Sequence, residues 1–346
     1  MSDFIPVQGF EDVWRPAVRQ RQVRPQTVLS KAGLGADPRP RLARLAAKAP
    51  EVMVKVTGRT RDAAHLRAHL DYISRNGELP LEGPDGVLFG GRREVRDLAA
   101  DWGVEAMADT GRRGGSPMSH SLVLSMPAGT DPGVVRDAAR AFAADMFAGR
   151  HDYVFTLHTD TARPHVHLSI CSRGHDGRRF NPKKADLELF RRSFAQALRD
   201  RGVEAEATPR RARGVTRKPV RGPVRRMLER HAAGQGPVPK VARAALREGA
   251  RTAFQGDRQP RPWETASLRR QQRVRELYLA QARALQASPD VTDRKLGDAV
   301  AAFVRDMPRP DFERLALARH LRASNQASRE SAPPRPPAGN GRERDR

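Results

Sequence analysis

The chain has 346 residues, with 64 Lys and Arg against 40 Asp and Glu and a formal net charge of +24. So large an excess repels itself and attracts polyanions, which makes nucleic acid the leading expected partner and an anionic membrane surface the second. A single cysteine, Cys171, excludes an internal disulfide and a cysteine-based zinc site. No stretch has the length and apolarity of a membrane span, so no membrane insertion is expected. "MSDFIPVQGFEDVWRP" lacks the apolar core of a signal peptide, and the expected compartment is a reducing cytoplasm. Aromatic residues are only 5% of the chain, so the core is expected to be mostly Ala, Val and Leu.

Residues 1–50 are basic and carry scattered Pro, and read as a flexible N-terminal arm with room for a short helix at "PRLARLAAK". A compact region over 51–214 follows. "EVMVKVTG" alternates apolar and polar residues and predicts a strand. "RTRDAAHLRAHLDYISRNG" places Ala64, Leu66, Leu70 and Ile73 at helical spacing and closes on Asn76-Gly77, a stop signal. "GVLFGG" predicts a short strand, and "REVRDLAADWGVEAMA" a helix. "SHSLVLSMP" is a strand ended by Pro127. "DPGVVRDAARAFAADMFAG" is a helix with Pro just inside its start and Gly at its end. "DYVFTLHTD" and "HVHLSICSRG" form a hairpin, and "KADLELFRRSFAQALRDRG" is an amphipathic helix. This order predicts an α+β fold, an antiparallel sheet with helices on one face and the other face open. From 215 to 330 the chain is basic and helical in pattern. The tail 331–346, rich in Pro, Gly and Arg, reads as disordered.

The densest chemistry is in "HTDTARPHVH". Side chains on a strand alternate between faces, so His158 and Asp160 point one way, and His165 and His167 share a face while Val166, Leu168 and Ile170 point oppositely. Three imidazoles with coordination positions left over resemble a catalytic metal site rather than a closed structural one. A polar strand face would carry the same spacing, and spacing alone leaves both readings open. Asp160 would hold an imidazole tautomer or accept a proton.

The chain has three tyrosines. Tyr153 begins a strand, and Tyr278 lies in the apolar stripe of a basic helix. Tyr72 ends a helix beside Asp71 and Arg75. A basic chain with a histidine metal site and a tyrosine at a helix end fits phosphodiester transesterification, in which the tyrosine attacks a phosphate and retains the DNA end.

Four segments in order then resemble the conjugative relaxases with an HUH motif, in particular their VirD-type, MobP-class group. "HLDYISRNGELPLEG" resembles the nucleophile motif. "SHSLVLSMPAGTDPG" with "AARAFAADMF" resembles the second motif, "HTDTARPHVHLSI" the metal-binding third, and "FAQALRDRGVEAEATPRRARG" the closing helix and Arg-Gly segment. The tyrosine precedes the histidines, as in relaxases; replication initiators of the same superfamily have the reverse order, for which Tyr278 would be the candidate.

The resemblance implies a five-stranded antiparallel sheet with a ferredoxin-like core. It implies Tyr72 as the nucleophile forming a 5′-phosphotyrosine, His158, His165 and His167 as metal ligands, and Asp160 as base or support. Ser125, Arg75, Arg210 and Arg213 are candidate DNA contacts. Cys171 stands where the family carries an asparagine. The implied cofactor is a divalent metal, Mg or Mn by resemblance, while three neutral imidazoles intrinsically suit Zn, Ni or Mn. The implied activity is a site- and strand-specific nicking and closing of single-stranded DNA at an origin of transfer. Its implied partners are an accessory nicking protein and a type IV secretion coupling protein, with export from the bacterial cytoplasm on the DNA. The competing expectations are a non-catalytic DNA-binding transfer accessory and a replication initiator.

Overall fold

The computed structural model describes residues 7, 8, 10–14 and 38–330, apart from 110, 112, 218, 219, 221 and 258. Most of the expected N-terminal arm and all of the tail 331–346 lie outside the described residues.

The fold is α+β. Six strands, β1 (Met53–Thr60), β2 (Leu81–Glu82), β3 (Leu88–Phe89), β4 (Ser119–Ser125), β5 (Tyr153–His158) and β6 (His165–Cys171), form one antiparallel sheet in the order β1-β4-β6-β5-β2-β3. The five strands expected from sequence become six because β2 and β3 are two-residue strands around a 3-10 turn at Pro84–Gly86. Pro80 and Gly83 bracket β2, so its pattern is too short to register as a strand.

Four helices pack against this sheet: α3 (Ala63–Ile73), α4 (Gly91–Ala108), α5 (Pro132–Phe147) and α6 (Lys184–Arg199). Alternation sends Leu122, Leu124, Phe155, Val166, Leu168 and Ile170 to one face, where they are buried with α5 and α6. The low aromatic content pointed to an aliphatic core, but the scarce aromatics are concentrated here. Phe142, Phe147, Phe190 and Phe194 meet edge-on or tilted at ring-centroid separations of 5.9–6.2 Å. The second face is open only in part. Leu66, Leu70 and Ile73 of α3 and Val95, Leu98 and Trp102 of α4 close over Val154 and Cys171. Burial inside this apolar cluster pushes the Cys171 thiol up, consistent with a packing role.

Asp62 caps α3 by accepting from the His65 amide at 2.7 Å. The helix ends in a left-handed run, with φ of 53° at Arg75, 57° at Asn76 and 91° at Gly77. At Gly77 a Cβ would sit 2.3 Å from the Arg92 backbone nitrogen, so only glycine fits where α3 turns back toward α4.

The described chain falls into two compact units. The first holds residues to Pro209 together with Leu277–Asp306, and the second holds Arg210–Glu276 and the residues from Met307. Parts of the expected arm are ordered within the first unit. A short helix α1 (Glu11–Trp14) buries Val13 and Trp14, and α2 (Arg39–Ala46) buries Leu42 and Leu45. The Arg39 guanidinium donates to Asp293 at 2.7 Å on α10 (Val291–Asp306). The second unit contains α7 (Gly222–Ala232), α8 (Lys240–Phe254), the start of α9 (Pro262–Gln286) and α11 (Glu313–Glu330). Its centre is a buried pair, Arg314 to Glu264 at 2.6 Å, with Arg314 also donating to Thr252 at 3.0 Å. Among the described residues no helix is long and apolar enough to cross a membrane.

Candidate active site

The three histidines converge. β5 and β6 pair in a register that sets His158 directly opposite His165, with His167 opposite Thr156. One candidate ligand atom from each imidazole lies within 4.8 Å of the other two, the one such cluster found among the described residues. The His158 and His167 rings are closest, with centroids 4.5 Å apart.

Backbone carbonyls set the tautomers. A carbonyl can only accept, so His158 Nε2 carries the proton it gives to Ile73 O at 2.7 Å. Its Nδ1 therefore holds a lone pair, which accepts from the Arg75 guanidinium at 3.2 Å. His165 Nδ1 donates to Arg163 O at 3.1 Å, leaving Nε2 free. Burial, then the neighbouring His158 and His165, push His167 down to about 3, and burial also lowers His158. One nitrogen from each of the three rings lies close enough to share a divalent ion with open coordination positions.

Tyr72 reaches this cluster from the last turn of α3. It is 58% exposed, and its ring stands edge-on to His167 at a centroid distance of 6.1 Å, although nearly a hundred residues separate them in sequence. An exposed tyrosine at a helix end that otherwise buries Leu66, Leu70 and Ile73 is not there for packing. Arg75, one turn on, places its guanidinium 5.4 Å from the Tyr72 ring centroid and pairs with Asp160. Asp160 thus faces Arg75, while the two fixed tautomers are held by Ile73 and Arg163.

Ser125 is directly opposite His165 on β4, in the same row, with its hydroxyl donating to Met126 O at 3.3 Å. Arg210 and Arg213 lie on a 3-10 turn at the start of the second unit, not in the unit that holds the histidines. Tyr278 is fully buried, accepts from Trp14 Nε1 at 3.2 Å and packs edge-on against Phe10 and Phe303. It is a core residue, and the reversed motif order has no exposed tyrosine there to serve it.

Sequence reading missed His69. Its Nε2 meets the Ser121 hydroxyl at 2.8 Å, joining α3 to β4 beside His167, and burial pushes it down to about 4. The available signal was its spacing, three residues before Tyr72 and so on the same helix face.

Residues 92–203 match the family model for the MobA/VirD2-like relaxase nuclease domain. Over 208 residues the chain is 28% identical to the T-DNA border endonuclease VirD2 of Rhizobium radiobacter, covering 52% of this chain and 47% of that protein. It is 26% identical over 213 residues to the VirD2 of Agrobacterium fabrum, covering 54% and 45%. The chain is thus similar to the VirD-type relaxases over its nuclease-like region. It spans about half the length of the curated relatives it matches. The relaxase match takes in Ser125, His158, Asp160, His165 and His167, and it begins after Tyr72 and Arg75. The place of Tyr72 in the site therefore rests on the geometry above.

Proposed function

We propose that this chain nicks and rejoins single-stranded DNA at an origin of transfer, by transesterification through Tyr72. The observation that carries the reading is the meeting of an exposed tyrosine with three clustered imidazoles at the end of one sheet face. His158, His165 and His167 would hold a divalent ion, Mg or Mn by family likeness, and such an ion supplies polarisation of a phosphate oxygen.

The residues of the chain do the rest. The Tyr72 phenol oxygen attacks the scissile phosphorus and loses its proton, a Tyr O–P bond forms, and the P–O3′ bond breaks to release a 3′-hydroxyl. The 5′ end stays on Tyr72 as a phosphodiester. Attack by a 3′-hydroxyl reverses the step, so rejoining consumes no nucleotide. Arg75 and Ser125 flank the tyrosine and the triad and are suited to hold the flanking phosphates. The same reading places the protein in the bacterial cytoplasm, working with an accessory nicking protein and a secretion coupling protein, and leaving the cell on the transferred strand.

Incubation of the protein with a single-stranded origin oligonucleotide and Mn²⁺ should give a covalent adduct that survives denaturing gels. Tyr72→Phe should abolish it, and His167→Ala should lower it by at least about 100-fold. An adduct retained by Tyr72→Phe, or none from the wild type on its own origin, would refute the mechanism.

A further inference from the structure

The second unit carries a surface that the nuclease chemistry does not use. On α8, Lys240, Arg243, Arg247 and Arg251 recur at steps of three, four and four residues, so they form one stripe, and all four are exposed. The opposite side of the helix is fixed from behind. Gly249 is buried so close to Leu317 of α11 that a Cβ there would come within 2.7 Å of the leucine's own Cβ. Thr252 is buried against Arg314, and Arg322 donates to the Thr252 and Ala253 carbonyls at 2.8 and 3.1 Å. No carboxylate pairs with the four cations among the described residues; Glu248, the acid of this helix, faces Arg261 at 3.5 Å.

Repulsion among four unpaired cations on a rigid helix is relieved by a polyanion, and its form can be argued. Successive charges stand about 5–6 Å apart along roughly 16 Å of helix, a fixed ladder that suits regularly spaced phosphates. Arginine dominates the stripe, and its planar fork fits phosphate. The helix carries one exposed aromatic residue, Phe254, one turn beyond Arg251 on the same face, so at most one unpaired base could stack along the stripe. The exposed apolar residues Val241 and Leu246 fall on opposite flanks and Phe254 stands alone at the helix end, so no apolar stripe runs beside the basic one to enter a bilayer.

We infer that this face of α8, carried by the second unit whereas the histidines belong to the first, binds the phosphate backbone of double-stranded DNA without reading sequence. A relaxase-like protein would need such a hold on the duplex flanking the nicked strand.

The test is fluorescence anisotropy with the full chain and a 20-base-pair duplex of arbitrary sequence, titrated over a range of salt. Replacing Lys240, Arg243, Arg247 and Arg251 by Gln should reduce the slope of log affinity against log salt by about 3 to 4. The charge-keeping variant R243K/R247K/R251K should retain the wild-type slope. If the fourfold variant melts below the wild type, Arg247→Glu alone should still reduce the slope by at least about 1. An unchanged slope overturns the inference. So does a variant that keeps the slope but loses binding to phosphatidylglycerol vesicles. Adduct formation on single-stranded origin DNA should be unaffected by the Gln substitutions, so a failure of the nicking chemistry is scored separately.

Discussion

His158 shows how a single side chain can be readied for metal and guarded at once. Its Nε2 proton is committed to Ile73 O, so Nδ1 is the one atom it can offer, and Arg75 donates to that atom. Arg75 is itself tied to Asp160, so a cation already stands at the ligand position and would have to yield to a metal. Arg75→Ala should therefore raise the affinity for Mn²⁺, measured by isothermal titration without DNA. A tenfold gain is the scale expected, because a unit charge and a dication about 6 Å apart in water repel by roughly 1.4 kcal/mol. An unchanged affinity would show that Arg75 does not compete. The histidine cluster was legible in sequence because strand alternation is a local rule that needs no partner. The link from Arg75 to Asp160 spans 85 residues and depends on where α3 lies over the sheet, so no spacing rule predicts it.

At the scale of the element, the end of α3 sets the position of Tyr72. The helix and its Asn-Gly stop were readable from sequence, but not why the glycine is required. The strand that was missed and the helix packing that reduces the open face have the same origin. Two-residue strands carry no periodicity, and the contact of α3 and α4 with Val154 and Cys171 is a long-range choice. Gly77→Ala should destabilise the protein by about 2–4 kcal/mol, since it combines a left-handed backbone with a clash against fixed main chain. Urea denaturation measures this, and a midpoint equal to wild type would show that the α3–α4 turn relaxes freely.

Over the whole molecule, burial lowers five histidines among the described residues: His69 and His120 to about 4, His167 to about 3, and His151 and His158 in the same direction. Each has its ordinary value near 6.5 when the chain unfolds, so between these values the unfolded state binds more protons. Stability is therefore highest above pH 6.5 and falls as the pH drops toward 4. Carboxylates titrate mostly below about pH 4.5, which leaves the window from 6.5 to 5 to histidine. Unfolding at pH 5 should take up about three protons or more, measured by calorimetry in buffers of different ionisation enthalpy. A melting temperature constant from pH 7 to 5 would contradict this. The ordering of α1 and α2 also belongs to this scale. Arg39 finds Asp293 across more than 250 residues of sequence, and a reading of the first fifty residues alone could only take them for an arm.

The hairpin that carries the histidines has one more consequence. His158 and His165 are a directly opposed pair, so the sheet ladder closes the hairpin at the ligands themselves, and residues 159–164 bulge beyond them. The spacing of the imidazole-bearing residues is thus set by the ladder, while the loop contributes only the Arg163 carbonyl that orients His165 and the Asp160 carboxylate that holds Arg75. A lineage that kept those two contacts could change the rest of the loop, and the surface it presents, while inheriting the histidine cluster. On the proposed reading, the surface that meets DNA and the cluster that does the chemistry can then diverge at different rates, although only one peptide bond separates where each begins.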